Sequence, residues 1–237
     1  MSERSTAPAA LIGIPVALGI ALAGWFVGNA VFRARASERS VTVKGFSERE
    51  VRADLALWPV VFTVTAEDLA TLQRRVEESA GRVEAFLRKD FAAEEISQTS
   101  PRITDREAQR AMPSGRPMER YSAEAVLTVR TGKIDAVRSA NARAGELVAQ
   151  GVALIRSYEY NTQYLFTALE KIKPEMIAEA TLDARRAAEQ FAKDSGSRVG
   201  AIRGAQQGLF SVEDRDAFSP QFKKVRVVTT IQFFLED

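Results

Sequence analysis

The sequence of 237 residues contains no cysteine and no histidine. The chain therefore has no thiolate nucleophile, no disulfide, and none of the groups of Ser-His-Asp or Cys-His catalysis. Nearly every zinc, haem and copper site is excluded too, because these metals depend on the same two side chains. The GxxxxGK[ST] pattern of a phosphate-binding loop is also missing. We expect no catalytic residue, no metal and no cofactor, and predict that the protein is not an enzyme.

An excess of charge of one sign is missing as well. The 33 basic and 31 acidic residues leave a net charge of +2, which is too small to indicate a nucleic-acid partner. Hydrophobic residues make up 46% and charged residues 27%, values typical of a chain that folds around a core. The absence of cysteine suits an oxidising compartment and the cytosol equally.

One long apolar run is present near the amino end. From Leu11 to Phe32 the chain has 22 residues without a charge, which as a helix would span about 33 Å, enough for the hydrocarbon core of a bilayer. Trp25 and Phe26 lie near its far end, where an aromatic belt is expected. We predict a tail over residues 1–10, a single-pass transmembrane anchor over 11–32, and a linker over 33–40.

A cleaved signal peptide is the alternative interpretation of this run, because Ala34-Arg35-Ala36 has the form of a cleavage site. Against it, the run is longer than a usual h-region, and the preceding residues carry only Arg4, offset by Glu3. Whether the chain is cleaved at Ala36 stays open. The side of the membrane is also open from charge alone, since the positive-inside rule weakens for long translocated domains. Four basic residues follow the run: Arg33, Arg35, Arg39 and Lys44.

Residues 41–237 predict one domain of mixed helices and strands. Alternating and i, i+3/i+4 apolar patterns favour an α+β class with mostly antiparallel sheet and three main helices. The predicted strands are Val41–Gly45, Val51–Thr65, Ile96–Ile103, Tyr121–Arg130, Val152–Thr167, Val199–Val212 and Val225–Leu235. The predicted helices are Leu69–Leu87, Lys133–Gln150 and Glu175–Ser195. Ser47–Glu50 predicts a polar turn, and Pro59 predicts a bulge or an edge position, because proline cannot donate to a ladder.

The stretch VTVKGFSEREVRADLALWPVVF, with Gly45 and Asp54, resembles the start of the SIMPL-domain (YggE-like) family of bacterial proteins. YSAEAVLTVR, Gly151 and the segment SGSRVG after the third helix resemble later parts of the family. Ala53 and Arg120 depart from the family pattern, at positions where proline and glycine are usual. The resemblance implies an α+β SIMPL fold, export to the periplasm, large ring-like or cage-like homo-oligomers and a link to oxidative stress. It implies no catalytic motif.

Three carboxylates are the candidates for acid–base chemistry. Glu67 and Asp68 lie where the first helix should begin, a place that the helix dipole favours for acids, so we expect them to cap the helix. For Asp54 we expect a hydrogen bond at a turn or strand edge. General acid–base catalysis is the competing role.

Five arginines cluster around the tip of the predicted hairpin between residues 96 and 130. Guanidinium groups make bidentate contacts with phosphate and carboxylate, so these residues are candidates for contact with an anionic partner. A solvated loop or a contact between subunits is the other interpretation, and we favour a role in assembly, since long loops without a role are uncommon. The residues are Arg102, Arg106, Arg110, Arg116 and Arg120.

A row of aromatic residues follows the second predicted helix. Tyr158, Tyr160, Tyr164 and Phe166 fall on one face of the predicted strand, and we expect core packing or a face between subunits rather than base stacking.

The apolar run and the family resemblance together imply a non-enzymatic, bacterial inner-membrane protein, and the resemblance implies that its large domain is in the periplasm. Its partners would be the lipid bilayer and further copies of itself. Two alternatives stay open: a carboxylate-dependent hydrolase of the envelope, and a binding module for an anionic ligand or a signalling partner.

Overall fold

The structure is a computed structural model that describes residues 18–30, 39–108, 119–156 and 158–236. Helix α1 covers residues 18–30. The other helices are α2 (Leu69–Leu87), α3 (Ile134–Ala142), α4 (Gly145–Ala149) and α5 (Leu169–Asp194). The strands are β1 (Ser40–Arg52), β2 (Leu55–Ala66), β3 (Ile96–Gln98), β4 (Arg102–Asp105), β5 (Tyr121–Thr131), β6 (Ala153–Leu154), β7 (Gln163–Leu165), β8 (Arg198–Gln207), β9 (Ser211–Asp214) and β10 (Phe222–Glu236). Strand β8 pairs antiparallel with β10, β2 pairs antiparallel with β5, β6 and β7, and β5 pairs antiparallel with β3 and β4, so the predicted α+β class is confirmed.

The chain divides into two compact units. Unit 1 consists of Met1–Glu48, Pro174–Phe210 and Arg226–Asp237. Unit 2 consists of Arg49–Lys173 and Ser211–Val225. The sequence predicts one domain over residues 41–237, and it shows no composition shift at these boundaries.

Unit 2 is built on a six-stranded sheet in the order β3-β5-β2-β6, with β4 paired to β5 and β7 paired to β2. Helix α2 contacts β2 and β5, and it buries its apolar stripe, which includes Leu72, Val76 and Val83. The opposing strands contribute Trp58, Phe62 and other even-numbered residues of β2 to the same core. The predicted amphipathic helix over Leu69–Leu87 is confirmed at both ends.

Unit 1 contains β8 and most of β1 and β10, which form a sheet in the order β1-β10-β8. Its core cluster is small, with Val41 from β1, Ile231 and Phe233 from β10, and two alanines of α5. Four alanines spaced by four line the buried side of α5: Ala180, Ala184, Ala188 and Ala192. Small side chains let a helix lie close to its neighbours, as the alanine pattern predicts. Phe191, expected on that stripe, is exposed.

The start of the domain differs from the prediction. Strand β1 runs without a break through the expected turn at Ser47–Glu50, and the chain reverses only after Arg52. Of the two alternatives expected at Pro59, a bulge or an edge position, the bulge is wrong, because β2 pairs with β5 in constant register from Ala56 to Ala66. On its other edge β2 pairs with β7 over Leu55–Leu57 and with β6 at Phe62 and Thr63. Pro59 lies in the interval between these partners.

The helices and strands in the middle of the chain are shorter and more numerous than the apolar patterns predict. The helix expected over Lys133–Gln150 divides into α3 and α4, and Gly151 follows with a φ of +84°. The strand expected over Val152–Thr167 is replaced by the short strands β6 and β7 with a 3-10 turn between them at Tyr158–Tyr160. The expected row of aromatic residues on one strand face is therefore wrong.

Helix α5 begins six residues earlier than predicted and contains Pro174. Pro174 is the sixth residue of α5, so its missing N–H removes one hydrogen bond of the second helical turn. The predicted helix over Glu175–Ser195 starts directly after this proline. The last strand, β10, follows the predicted alternation closely, with Val225, Val227 and Ile231 buried.

Within the described part of the chain, no helix is both long enough and apolar enough to cross a membrane. Trp25 and Phe26 belong to α1, where both side chains are exposed and their rings meet edge to face at 5.3 Å. Leu11 and Phe32, the predicted ends of the anchor, lie outside the described residues.

Candidate functional site

The predicted arginine cluster is only partly within the described residues. Arg102 begins β4 and is exposed, Arg106 follows β4 directly, and Arg120 directly precedes β5. The backbone N–H of Arg106 donates to the carbonyl of Arg120 at 2.8 Å, which closes the base of the predicted hairpin. Arg110 and Arg116 lie outside the described residues.

Arg120 already has carboxylate partners within the hairpin. Its Nη2 lies 2.9 Å from Oδ2 of Asp105, its Nε lies 3.4 Å from Oε2 of Glu107, and its guanidinium stands 5.0 Å from the ring centre of Tyr121. The hydrogen bond from Arg120 lowers the pKa of Asp105, and the same bond raises the pKa of Arg120. The charge of Arg120 is thus balanced within the hairpin.

A second group of polar side chains ties the hairpin base to helix α2. Arg75 of α2 donates to Glu119 at 2.9 Å, and the hydroxyl of Thr65, at the end of β2, donates to the same carboxylate. These two bonds lower the pKa of Glu119, with the Thr65 bond the larger cause. The base of the hairpin is therefore a structural junction of β2, α2 and β5.

Asp54 lies in the reversal between β1 and β2 and binds backbone groups ahead of α5. Its Oδ1 accepts from the N–H of Thr167 at 2.7 Å, and its Oδ2 accepts from the N–H of Ala168 at 2.9 Å. The Asp54 N–H donates to the carbonyl of Leu165 at 2.9 Å. Because these N–H groups directly precede α5, the carboxylate serves as a cap supplied from a distant part of the chain. The hydrogen bond expected at Asp54 is present.

Asp68 is the N-cap of α2. Its Oδ1 accepts from the N–H of Thr71 at 2.9 Å, a hydrogen bond that lowers the pKa of Asp68. The capping role expected of Asp68 is confirmed, whereas Glu67 is exposed ahead of the cap.

A further carboxylate, Glu95, was not among the predicted candidates. It accepts hydrogen bonds from the Thr131 hydroxyl at 2.5 Å, from Nζ of Lys133 at 2.9 Å and from the N–H of Ala92 at 2.8 Å. These bonds, with that from Thr131 the largest cause, lower the pKa of Glu95 to about 2. The two partners from the end of β5 are more than 30 residues away in sequence, so no local pattern indicates this site.

An open cleft in unit 2 has a volume of about 230 Å³. It lies beside the interval in β2 that contains Pro59, and Asn141, Arg156 and Asn161 contribute polar side chains to its lining. Its volume is below the roughly 300 to 1,000 Å³ of most small-molecule sites. Among the described residues, no group of three or more acidic side chains is arranged to hold a metal ion.

Strand β8 is an edge strand of the unit 1 sheet, because it is the last in the order β1-β10-β8. It is 10 residues long, and most of its side chains are exposed, including Ile202. The N–H of Gly208 donates to the carbonyl of Val228 at 2.8 Å. Since such bonds alternate along an antiparallel ladder, the backbone groups of Ala205 and Gln207 point away from β10. The strand therefore offers backbone donors and acceptors at its outer side.

The chain belongs to the SIMPL family, described as a protein of unknown function (DUF541), whose sequence model matches residues 41–233. This match confirms the family predicted from Gly45, Asp54 and the later motifs. It covers residues of both units, so the two units together make up the family's domain. A search of curated proteins finds no match to this chain.

Proposed function

We propose that this chain is a membrane-anchored, non-enzymatic envelope protein whose SIMPL domain assembles with further copies of itself into a large ring-like or cage-like homo-oligomer. The single observation that carries the proposal is the exposed edge strand β8 in unit 1. A long edge strand with unpaired backbone groups is a template for a strand from another chain.

Two features indicate that β8 is open to pairing with another chain and is not a protected edge strand. Protected edges carry inward-pointing charges, proline or very short strands, whereas β8 has no proline and only two charged residues, Arg198 and Arg203. β1 lies at the opposite end of the same strand order. Pairing of β8 with β1 of the next copy is a head-to-tail contact, and such contacts generate rings when the rotation closes.

The roles of the candidate acids support a non-enzymatic protein. Asp54 and Asp68 both use their carboxylates to bind backbone N–H groups next to helix starts. Helix capping alone explains where both carboxylates lie. No catalytic role is needed to account for their positions.

The anchor rests on the uncharged run of residues 11–32. The described part, α1, exposes large apolar side chains all round, including Ile20, Trp25 and Phe26. A helix that is apolar on every side suits lipid as its surroundings. We place the large domain in the periplasm, the placement that the family resemblance implies. The link to oxidative-stress defence stays a prediction.

The assembly is tested on the full-length protein in a mild detergent, by light scattering coupled to size-exclusion chromatography. We expect a mass of many subunits for the unchanged chain. Ala205→Pro removes an outward N–H of β8 without removing a bond to β10, so the mass should fall while the thermal unfolding midpoint changes little. Ala205→Ser keeps the N–H and should keep the large mass. A monodisperse monomer of the unchanged chain would refute the proposal.

The anchor is tested separately, by alkaline extraction of membranes from cells that produce the full-length chain. We expect the protein to stay in the membrane pellet with an intact mass that includes residues 1–36. Leu22→Arg combined with Val27→Arg should release it, because charges near the bilayer centre cost about 3 kcal/mol each. Protease added from the periplasmic side should digest the domain. A mature chain beginning after Ala36 would show that the run is a signal peptide.

A further inference from the structure

The open cleft of unit 2 combines buried apolar residues with polar side chains. Its apolar lining includes the buried residues Val60, Val61 and Ala144. An apolar wall with a few polar groups is the usual composition of a small-molecule site, and a volume of about 230 Å³ restricts the ligand to a small one. The polar lining includes Asn141, Arg156, Asn161 and Thr162.

Arg156 gives the open cleft a single positive charge. No aspartate or glutamate belongs to the lining of the cleft. Among the described residues, Arg156 has no ion pair and no side-chain hydrogen bond, in contrast to Arg120, which is paired with Asp105. A guanidinium group binds a carboxylate through two parallel hydrogen bonds. The cleft is therefore suited to a ligand that carries one carboxylate.

The interval in β2 adds a hydrogen-bond acceptor to the cleft. The carbonyl of Val61 accepts from the N–H of Ile155 at 2.8 Å, directly after β6. Alternate carbonyls of a strand point to the same side, so the carbonyl of Pro59 points into the interval between β6 and β7. In the part of the chain that the structure describes, no backbone N–H bonds to it. Because proline has no N–H, this position offers an acceptor without a donor beside it.

Two asparagines bring further acceptors to the same cleft. Asn141 lies in the last turn of α3, which contacts β2. Tyr160 donates its hydroxyl to Oε1 of Glu124 at 2.7 Å, and this bond holds the 3-10 turn that precedes Asn161. Neither asparagine side chain has a hydrogen bond to another described residue, so both amide oxygens are available to a ligand.

We propose that the open cleft of unit 2 binds a free α-amino acid with a small apolar side chain. The guanidinium of Arg156 holds the carboxylate of the ligand. Its amino group donates to the carbonyl of Pro59 and to the asparagine side chains, and its apolar side chain packs against Val60 and Val61. The site does not depend on the proposed assembly, since neither β1 nor β8 contributes to its lining.

The test is isothermal titration calorimetry of the full-length protein in a mild detergent, with L-valine as the probe. We expect saturable binding at one site per chain. Two analogues separate the ends of the ligand: 3-methylbutanoate lacks the amino group, and L-valinamide lacks the carboxylate. Each analogue should bind at least about tenfold more weakly than L-valine, the factor that corresponds to the loss of a charge-assisted hydrogen bond.

Variants of Arg156 test the partner of the carboxylate. Arg156→Gln should weaken the binding of L-valine by about tenfold or more and leave the thermal unfolding midpoint unchanged, because the side chain is exposed. Arg156→Lys keeps the charge without the paired hydrogen bonds, so its affinity should lie between the two. Arg130→Gln removes the same charge from an exposed position of unit 2 outside the cleft and should bind L-valine as the unchanged chain does.

Three results would overturn the site. The first is no binding of L-valine by the unchanged chain. The second is equal affinity for L-valine in the unchanged chain and in a folded Arg156→Gln variant, which would place the ligand elsewhere. The third is binding of 3-methylbutanoate as tight as that of L-valine, since the amino group would then have no partner at the carbonyl of Pro59.

Discussion

A Cβ atom on Gly45 would lie 2.3 Å from the backbone nitrogen of Ala184. It would also lie 2.0 Å from the carbonyl oxygen of Ala180, one turn earlier in α5. Strand β1 and helix α5 thus touch backbone to backbone at this point of unit 1. Only glycine in the strand, facing alanine in the helix, permits such a close approach.

Gly45→Ala should destabilise the protein by about 3 kcal/mol, because the added methyl group meets backbone atoms, which cannot move aside as the end of a flexible side chain can. The measurement is the urea midpoint at constant m-value. Gly204→Ala is the matched control, since a Cβ there would meet nothing within 4 Å. We expect that control to change stability by less than about 1 kcal/mol. Equal effects of the two substitutions would show that β1 and α5 do not touch as described.

Asp54→Ala should lower the free energy of unfolding by about 2 kcal/mol, which is the usual contribution of hydrogen bonds to a charged group. The N–H groups of Thr167 and Ala168 lose their acceptor, so the first turn of α5 should fray. Hydrogen exchange at these two amides measures this directly. Asp54→Asn retains one acceptor oxygen and should fall between the alanine variant and the unchanged chain. Unaltered exchange in the alanine variant would argue against the cap.

Asp68 and Glu67 provide a matched pair of neighbouring acids at the start of α2. Asp68→Ala should lower the free energy of unfolding by about 1 kcal/mol, because the N–H of Thr71 loses its cap. Asp68→Ser can still accept that hydrogen bond, so it should keep most of the free energy of unfolding that Asp68→Ala loses. Glu67→Ala should change stability by less than about 0.5 kcal/mol, as expected for an exposed residue. A larger loss at Glu67 than at Asp68 would contradict the cap.

Glu95 should make stability depend on pH in the acid range. Its pKa in the folded protein is about 2, below the ordinary glutamate value of 4.5, so its contribution to stability is fully present above about pH 4.5 and is lost as the pH falls toward 2. Glu95→Gln should reduce the free energy of unfolding at pH 7 by about 1.5 kcal/mol. The difference between the two proteins should shrink between pH 4.5 and pH 2.

Denaturant unfolding at several pH values is the measurement for Glu95. Glu94→Gln is the control, because Glu94 is its exposed neighbour in the same 3-10 turn, and it should leave the pH dependence unchanged. A constant difference between Glu95→Gln and the unchanged chain across this range would show that Thr131 and Lys133 do not favour the ionised carboxylate.

The elements with regular apolar spacing were predictable, and those shaped by distant partners were not. Helix α2 and strand β10 each keep one periodicity from end to end, so their residues could be assigned from the sequence. For Pro59 the sequence left a bulge and an edge position open, because a missing N–H disrupts a strand only where a neighbouring strand needs it. The strands that flank Pro59, β6 and β7, are contributed by residues about 100 positions later.

The motif residues were visible in the sequence, whereas their physical roles were not. Gly45 and Asp54 indicated the family correctly. Their partners, Ala184 and the amides before α5, are more than 110 residues away, and no spacing rule connects such positions. Arg120 was visible as part of a basic cluster, but its charge is neutralised by Asp105 across the hairpin. Only the pairing of β4 with β5 brings these two residues close.

Strand β10 lies between β1 and β8 in the unit 1 sheet, and it is the last of these three strands to be synthesised. About 170 residues separate the end of β1 from the start of β10. At roughly 5 to 20 residues per second, β1 waits on the order of ten seconds or more for its partner. During synthesis, β1 is thus a strand without its sheet neighbour, and deletion of Phe222–Glu236 would leave it in that state permanently.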